Sequence, residues 1–300
     1  MRLIAAFLSH FRKLAVAAGA GLALFAAQPA AAEPGIWVVK DKDSTIYLLG
    51  TVHVLKPDTQ WRSPKIDEAI ATSNELWLEL PGLSDDEMVA AMMPLLVKFG
   101  LSPEKPLSQR LTPEEYKSLL EAAKIANLPE ALLSMARPWF AAIGISTSAY
   151  TRAGYDPKSG VEEKLKAAFG ERSIKARGFE TAEQQLNIFA SMSEDEEMAF
   201  LRSTLEEYEK APVELDKMVA KWAAGDVAGL EKMMIDEMKD TSPALYDEIL
   251  TKRNANWAVK IQDMLKGSGT VFIAVGAGHL LGPDSVQAQL KKKGIEAKRL

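Results

Sequence analysis

The chain has 300 residues, no cysteine, and 36 Lys and Arg against 41 Asp and Glu. This length is enough for one large domain with its own hydrophobic core. The negative balance disfavours nucleic acid or an anionic membrane as the main partner, because both favour clustered basic side chains. The lack of cysteine excludes disulfides, a thiol nucleophile and a lipid-bearing cysteine.

Residues 1–32 have the composition of a secretory signal peptide. Basic residues without any acidic one precede an apolar stretch over 14–27, and a small-residue run, Ala30–Ala32, follows it. The apolar stretch is shorter than the ~20 residues that span a bilayer. We therefore predict cleavage before Glu33, a periplasmic or secreted protein forming a single domain over 33–300, and no stable membrane anchor after cleavage.

The first part of the mature chain has the pattern of short strands. Two are predicted near 36–39 and 45–49, joined by a polar turn, and a third over 74–80, where "NELWLEL" is followed by Pro-Gly. From about 84 to 166 the spacing of apolar residues becomes helical. Thr112, followed by proline, has the features of a helix start there.

The second half returns to strands at its end. A brief strand is predicted over 172–181, a second helical block runs to about 266, and "TVFIAVGAGH" is typical of a strand buried on both faces. A helix that stops at Gly294 and a final strand complete the chain. These elements predict an α/β fold: a central mixed sheet built from the N- and C-terminal segments, with a large, mostly helical insertion at about 84–265.

Two of the predicted strands end in the same pattern, Gly-x-x-His. "GTVH" ends at His53 and "GAGH" ends at His279, while the third histidine, His10, lies in the predicted signal peptide. Open α/β sheets place ligand crevices at the carboxyl ends of their strands, and glycine lets the backbone approach a ligand closely. We therefore expect the two histidines to meet at one site.

Carboxylates follow other predicted strands. Glu79 ends the third strand, Glu180 ends "KARGFE", and Asp156 lies in the turn-rich "GYDPKSG". Imidazole and carboxylate groups are the usual ligands of a catalytic divalent transition metal. Glu180 is the first candidate for a general base or a further ligand. Two alternatives remain open: Glu79 as a polar residue on the solvated face of a strand, and Asp156 bonded to its own turn.

A basic residue interrupts the apolar stripe of the helix predicted over 244–266. Leu250 and Trp257 belong to the stripe, and Arg253 falls within it at helical spacing. A buried cation is costly unless it is paired. Arg253 therefore either extends to solvent or meets a carboxylate or a substrate oxyanion, and Asn254 beside it is a candidate hydrogen-bonding partner in the site.

Several segments resemble the TraB/GumN family, which is related to the TIKI metalloproteases and more distantly to erythromycin esterase-like and ChaN-like proteins. They are "LLGTVHV", "ELWLEL", "RPWF", "RNANWA" and "FIAVGAGHLLG". The similarity extends over nearly the whole mature chain and is strongest at its two ends. The resemblance implies that the family's paired Gly-x-x-His motifs and following glutamate fall on His53, His279 and Glu79. In the TIKI branch it implies divalent-metal-dependent hydrolysis of peptide bonds.

Three functions remain open at this point. The first is a peptidase-like hydrolase that binds Mn, Co or Zn through His53, His279 and Glu79, with four candidate catalytic residues: Glu79, Glu180, Arg253 and Asn254. The second is a metal-free, esterase-like hydrolase with a histidine general base. The third is a protein that binds a metal, haem or small ligand without turnover. The first two would act on a peptide or a small molecule. The sequence has no P-loop, G-x-S-x-G or H-E-x-x-H motif.

Overall fold

The computed structural model describes residues 33–300, and its centre is a six-stranded mixed sheet. The predicted signal peptide lies outside the described residues. The strands are β1 (Ile36–Lys40), β2 (Ser44–Thr51), β3 (Glu75–Leu78), β4 (Ala176–Gly178), β5 (Gly269–Gly276) and β6 (Ala297–Arg299). Their order across the sheet is β4-β3-β5-β2-β1-β6. The predicted α/β fold, with a sheet built from both ends of the chain, is confirmed.

The middle of the sheet is parallel. β2 pairs with β5 so that Thr51 lies opposite Gly276 at their carboxyl ends. β3 pairs with the other side of β5 and with β4, both parallel, whereas β1 is antiparallel to β2 and β6. The carboxyl ends of four strands therefore meet at one edge, where the segments carrying both predicted histidines begin.

Both faces of the sheet are covered by helices. Phe272 of β5 belongs to the same buried cluster as Trp222 on one face, and its neighbour Ile273 belongs to the cluster of Trp257 on the other. Successive strand residues point to opposite faces, so a strand covered on both sides is apolar at nearly every position. This explains why β5 was recognisable from its continuous apolar run.

Helices make up most of the chain between β3 and β5. The helices are α1 (Pro64–Thr72), α2 (Asp85–Gly100), α3 (Pro113–Ile125), α4 (Glu130–Met135), α5 (Pro138–Arg152), α6 (Val161–Gly170), α7 (Ala182–Ala190), α8 (Glu194–Glu207), α9 (Ala211–Ala223), α10 (Val227–Leu230), α11 (Glu237–Thr241), α12 (Pro243–Tyr246), α13 (Lys252–Met264) and α14 (Val286–Lys292). Across residues 33–300, none is long and apolar enough to cross a membrane.

The inserted helices have their own core and clear start signals. Leu119, Ile145 and Leu201 are fully buried between α3, α5 and α8. The Thr112 side chain accepts from the Glu115 N–H, and the Glu115 carboxylate accepts from the Thr112 N–H, which closes a capping box at the start of α3. The predicted start of this helix is therefore confirmed.

The helix predicted over 244–266 is found over 243–264, with a π-helical segment inside it. A π-helical segment at Asp247–Thr251 separates α12 from α13, and a second π-helical segment at Glu231–Asp236 precedes α11. A π turn contains more residues than an α turn and therefore shifts the side chains that follow it. Apolar spacing alone cannot reveal such a turn.

Candidate functional site

His53 lies two residues beyond β2 and is held by a carboxylate on α6. Its Nδ1 is 2.8 Å from Glu162 Oε1, and the Thr51 hydroxyl donates to the same oxygen. The Glu162 carboxylate raises the pKa of His53 above its ordinary value, against the opposing effect of burial. The His53 side chain is 63% exposed, and two cavities open onto it.

The start of α6 is packed directly against the end of β2, which places Glu162 beside His53. The Val161 N–H donates to the Val52 carbonyl oxygen over 3.2 Å. Gly160 permits this contact, because a Cβ there would lie 2.1 Å from the His53 carbonyl oxygen. A side chain at position 160 would therefore force the helix away from the strand.

His279 follows β5 in a 3₁₀ turn and is buried. Its Nδ1 is 2.6 Å from Asn254 Oδ1, while Asn254 Nδ2 donates to the Asp284 carbonyl oxygen over 2.8 Å. Because the Asn254 Nδ2 is used in this way, its Oδ1 faces the ring as an acceptor. The His279 Nδ1 is therefore the donor, and Nε2 carries the lone pair. Burial, with the nearby Arg253, lowers the pKa of His279 to about 3. The ring is therefore neutral at physiological pH.

Glu79 lies one residue past β3 and faces both histidines. Its Oε1 is 4.0 Å from His53 Nε2 and 3.7 Å from His279 Nε2, and it accepts a hydrogen bond from the Gly276 N–H over 2.8 Å. Burial raises the pKa of Glu79, but the positive charges of His53 and Arg253, with the hydrogen bond from the Gly276 N–H, outweigh it and lower the pKa. Glu79 is therefore an anion in the site, and its side chain does not lie on a solvated strand face.

Arg253 is the buried cation of the site, with 11% of its side chain exposed. It donates from Nη2 to Glu79 Oε2 over 2.7 Å, and from Nε to Glu180 Oε1 over 2.9 Å. Its Nη1 donates to the Ile249 carbonyl oxygen and lies 3.0 Å from His279 Nε2. Arg253 therefore does not extend to solvent; it pairs with two carboxylates, as the second alternative predicted.

Glu180 directs both of its oxygens to neighbouring donors. Oε2 accepts from Arg253 Nη2 over 2.9 Å, and Oε1 also accepts from Trp257 Nε1 over 3.0 Å. A carboxylate bound in this way fixes the guanidinium, which favours a positioning role over that of a general base. Asp156 accepts from the Lys158 N–H over 2.9 Å, as the turn alternative predicted.

The residues that the resemblance assigns to a metal come together, but not as a preformed ligand set. Within the part of the chain that the structure describes, no three His, Asp or Glu side chains are arranged to hold a metal ion. The 4.0 Å between His53 Nε2 and Glu79 Oε1 exceeds the roughly 3.4 Å between tetrahedral ligands with bonds of ~2.1 Å. The Arg253 guanidinium also lies against the His279 lone pair.

The donor chemistry nevertheless fits a divalent ion. Each histidine has its Nδ1 engaged by a fixed oxygen and directs Nε2 toward Glu79, the arrangement typical of metal-binding histidines. Gly276 keeps the space between them open, because a Cβ there would lie 3.1 Å from Glu79 Oε1 and 3.4 Å from His53 Nε2. A metal bound at His279 Nε2 would have to replace the contact with Arg253.

Sequence reasoning missed two residues of this cluster. Glu162 is the partner of His53, and Gln185 of α7 donates from Nε2 to Glu79 Oε2 over 3.0 Å. Both lie in the helical insertion, more than 100 positions from their partners. The one local signal was Gly160, followed by acidic residues in the first turn of a helix.

The fold and the site define an α/β protein with two histidines, a glutamate anion and a buried arginine at the carboxyl edge of its sheet. The chain belongs to the TraB/PrgY/gumN family, whose model matches residues 35–299. The resemblance found in the sequence is thereby confirmed.

Its relatives share about a fifth of their residues with it. A 271-residue match to an uncharacterized protein of Treponema pallidum (strain Nichols) is 22% identical and covers 86% of this chain and 80% of that protein. The uncharacterized protein YbaP of Escherichia coli (strain K12) is 21% identical over 258 residues, and the match covers 86% of this chain and 92% of YbaP. YbaP of Shigella flexneri gives the same values. No solved structure matches the chain.

Proposed function

We propose that this protein is a metal-dependent hydrolase that cleaves a peptide or ester bond at the site formed by His53, His279 and Glu79. One observation carries the proposal. The Nε2 atoms of both histidines face the same oxygen of Glu79, at 4.0 and 3.7 Å, while Glu162 and Asn254 hold the opposite nitrogens. When bound, a divalent ion polarises a carbonyl oxygen and lowers the pKa of a bound water to near 7.

Glu79 is the group that takes the proton of the attacking water. Glu79 is ionised at neutral pH and can accept a proton, and its Oε1 lies at the point on which both histidines converge. The water oxygen forms the new bond to the carbonyl carbon, and the proton then passes to the leaving amine or alcohol oxygen as the old bond breaks. Gly276 holds Oε1 in place through its N–H.

Arg253 supplies fixed positive charge beside the reacting carbonyl. Glu180 engages Nε and Nη2, so the guanidinium is oriented before substrate binds. A preoriented positive charge of this kind stabilises a developing oxyanion more than a mobile one. Asn254 keeps His279 in the tautomer whose Nε2 lone pair faces the site. Glu180 and Asn254 therefore act through Arg253 and His279.

The test is hydrolysis of a panel of peptides and p-nitrophenyl esters with Mn²⁺, Co²⁺ or Zn²⁺ and with a chelator. We expect turnover that requires metal and is lost in His53→Ala and His279→Ala proteins that remain folded by circular dichroism. Met93→Ala, at an exposed position on α2, is the control and should keep wild-type rates. Turnover that survives the chelator, or survives both histidine substitutions, would contradict the proposal.

The contact between Arg253 and His279 favours a second candidate, a metal-free hydrolase. With His279 Nε2 engaged by Arg253 at 3.0 Å, His53 and Glu162 remain as an oriented imidazole–carboxylate pair. Such a pair can move a proton between water and a leaving group. In this case the chelator leaves turnover unchanged and Glu162→Gln lowers it. Ligand binding without turnover by any panel member would instead support the non-catalytic alternative.

A further inference from the structure

A cavity of about 340 Å³ opens directly onto the proposed catalytic centre. His53, Glu79, Arg253 and His279 are among its lining residues. The rest of the lining is mainly apolar, and it includes Leu215, Met218, Trp222, Leu230, Met234 and Leu250. The volume lies at the lower end of the 300–1,000 Å³ usual for small-ligand pockets. The cavity therefore suits one compact group placed beside the reacting bond.

The two π-helical segments supply much of this apolar wall. Met234 and Ile235 come from the first segment, and Ile249 and Leu250 come from the second. π turns occur frequently at functional sites, because they re-aim side chains at the cost of regular hydrogen bonding. Arg253 follows the second segment by two residues, so the same irregularity that shapes the wall also sets the position of the catalytic cation.

The lining is adaptable in one part and rigid in another. Met218, Met234 and Met238 are flexible, and methionine accommodates apolar groups of variable shape. Trp222 is fixed, because its Nε1 donates to the Gly50 carbonyl oxygen over 2.8 Å. Its ring therefore offers only apolar surface. Among the described residues, the charged side chains that line this cavity belong to the catalytic centre.

His53 and Glu79 also line a second cavity. It measures about 280 Å³, and its lining includes the polar side chains of Glu163, Lys166 and Gln185. The catalytic centre thus adjoins two cavities, of which the second has the larger share of polar lining. A substrate with one apolar end is oriented by this difference, because burying a polar group in the apolar cavity would leave its hydrogen bonds unmade.

We infer that the apolar cavity binds a flexible, unbranched apolar group of the substrate, next to the bond that the proposed hydrolase cleaves. This inference rests on the proposed function. The group is either the acyl chain of an ester or amide, or an apolar side chain of a peptide. If each carbon of the chain takes about the 30 Å³ that one water molecule occupies in the liquid, the cavity holds a chain of roughly ten carbons.

Binding and turnover are measured separately to test this inference. Titration calorimetry measures the affinity of the protein for straight-chain carboxylates from acetate to tetradecanoate. Turnover uses p-nitrophenyl esters of the same chains, and peptides that differ only in having Ala, Met or norleucine beside the cleaved bond. Met218→Trp and Met234→Trp fill the cavity at two independent positions, and Met93→Trp, on the exposed face of α2, is the matched control.

We expect the affinity of the wild type to rise about fourfold for each added methylene up to roughly ten carbons and then to level off. Both cavity substitutions should move the plateau to shorter chains, whereas Met93→Trp should not. An ester series with this pattern identifies an acyl chain, and a preference for Met or norleucine over Ala identifies a peptide side chain. Affinity that does not change with chain length, or the same plateau in both cavity variants, overturns the inference.

The outcomes also separate this inference from the proposed function. Chain-length-dependent binding without turnover would support the cavity assignment and contradict the hydrolase. Turnover with equal efficiency for acetate and decanoate esters would support the hydrolase and contradict the cavity assignment. If one Trp variant fails to fold, the wild-type series and the other variant still decide the result.

Discussion

Replacing Arg253 with Met should cost stability, because two enclosed carboxylates lose their shared cation. The side chains of Glu79 and Glu180 are only 12% and 11% exposed, and Arg253 donates to both. Breaking a buried ion pair by removing one partner costs about 3–5 kcal/mol. Glu79 keeps its bonds from Gly276 and Gln185, so we expect a loss near the lower end, about 3 kcal/mol in the free energy of unfolding.

Urea denaturation followed by circular dichroism measures this loss. The matched control is Arg62→Met, which removes the ion pair between Arg62 and Asp67, whose side chains are 49% and 51% exposed. Exposed pairs contribute about 0–1 kcal/mol. Adding Glu180→Gln to Arg253→Met should recover part of the loss, because one of the two unpaired charges is removed. A loss for Arg253→Met no larger than that for Arg62→Met would refute the view that this cluster is a buried, paired network.

Three further predictions concern other parts of the molecule. Gly276→Ala places a Cβ 3.1 Å from Glu79 Oε1, which is tighter than an ordinary contact and displaces that carboxylate, so kcat/KM should fall at least ~tenfold. Gly170→Ala, with nothing within 4 Å of the added Cβ, should keep the wild-type value. Glu162→Gln should weaken Zn²⁺ binding ~10–100-fold in calorimetry, because His53 loses its charged partner; unchanged affinity would exclude that role. Thr112→Ala should lower the free energy of unfolding by about 1 kcal/mol and leave turnover unchanged, since it removes only a helix cap.

The parts of the fold that could be predicted are those with local signals. The buried strand before His279 has a continuous apolar run, and the start of α3 has a capping threonine followed by proline. The convergence of the two histidines was predictable because both follow strand ends and parallel strands end at one edge. The structure places those strands, β2 and β5, side by side.

The remaining features depend on contacts between distant segments. Glu162 reaches His53 only because α6 starts against β2, and nothing in its local sequence distinguishes it from Glu163. The π-helical segments leave no trace in apolar spacing. The position of Arg253 between Glu79 and Glu180 likewise depends on how α13 packs against the sheet edge. Sequence patterns therefore predicted the identity of the site residues more fully than they predicted the hydrogen-bond partners of those residues.

The central claim is that the two Gly-x-x-His endings form one metal site. Elemental analysis of the purified protein, after exposure to Mn²⁺, Co²⁺ and Zn²⁺ and extensive dialysis, tests it most directly beside His53→Ala and His279→Ala. We predict near-stoichiometric metal in the wild type and its loss in both variants while they remain folded. A wild type without metal, or metal retained by both variants, would contradict the claim.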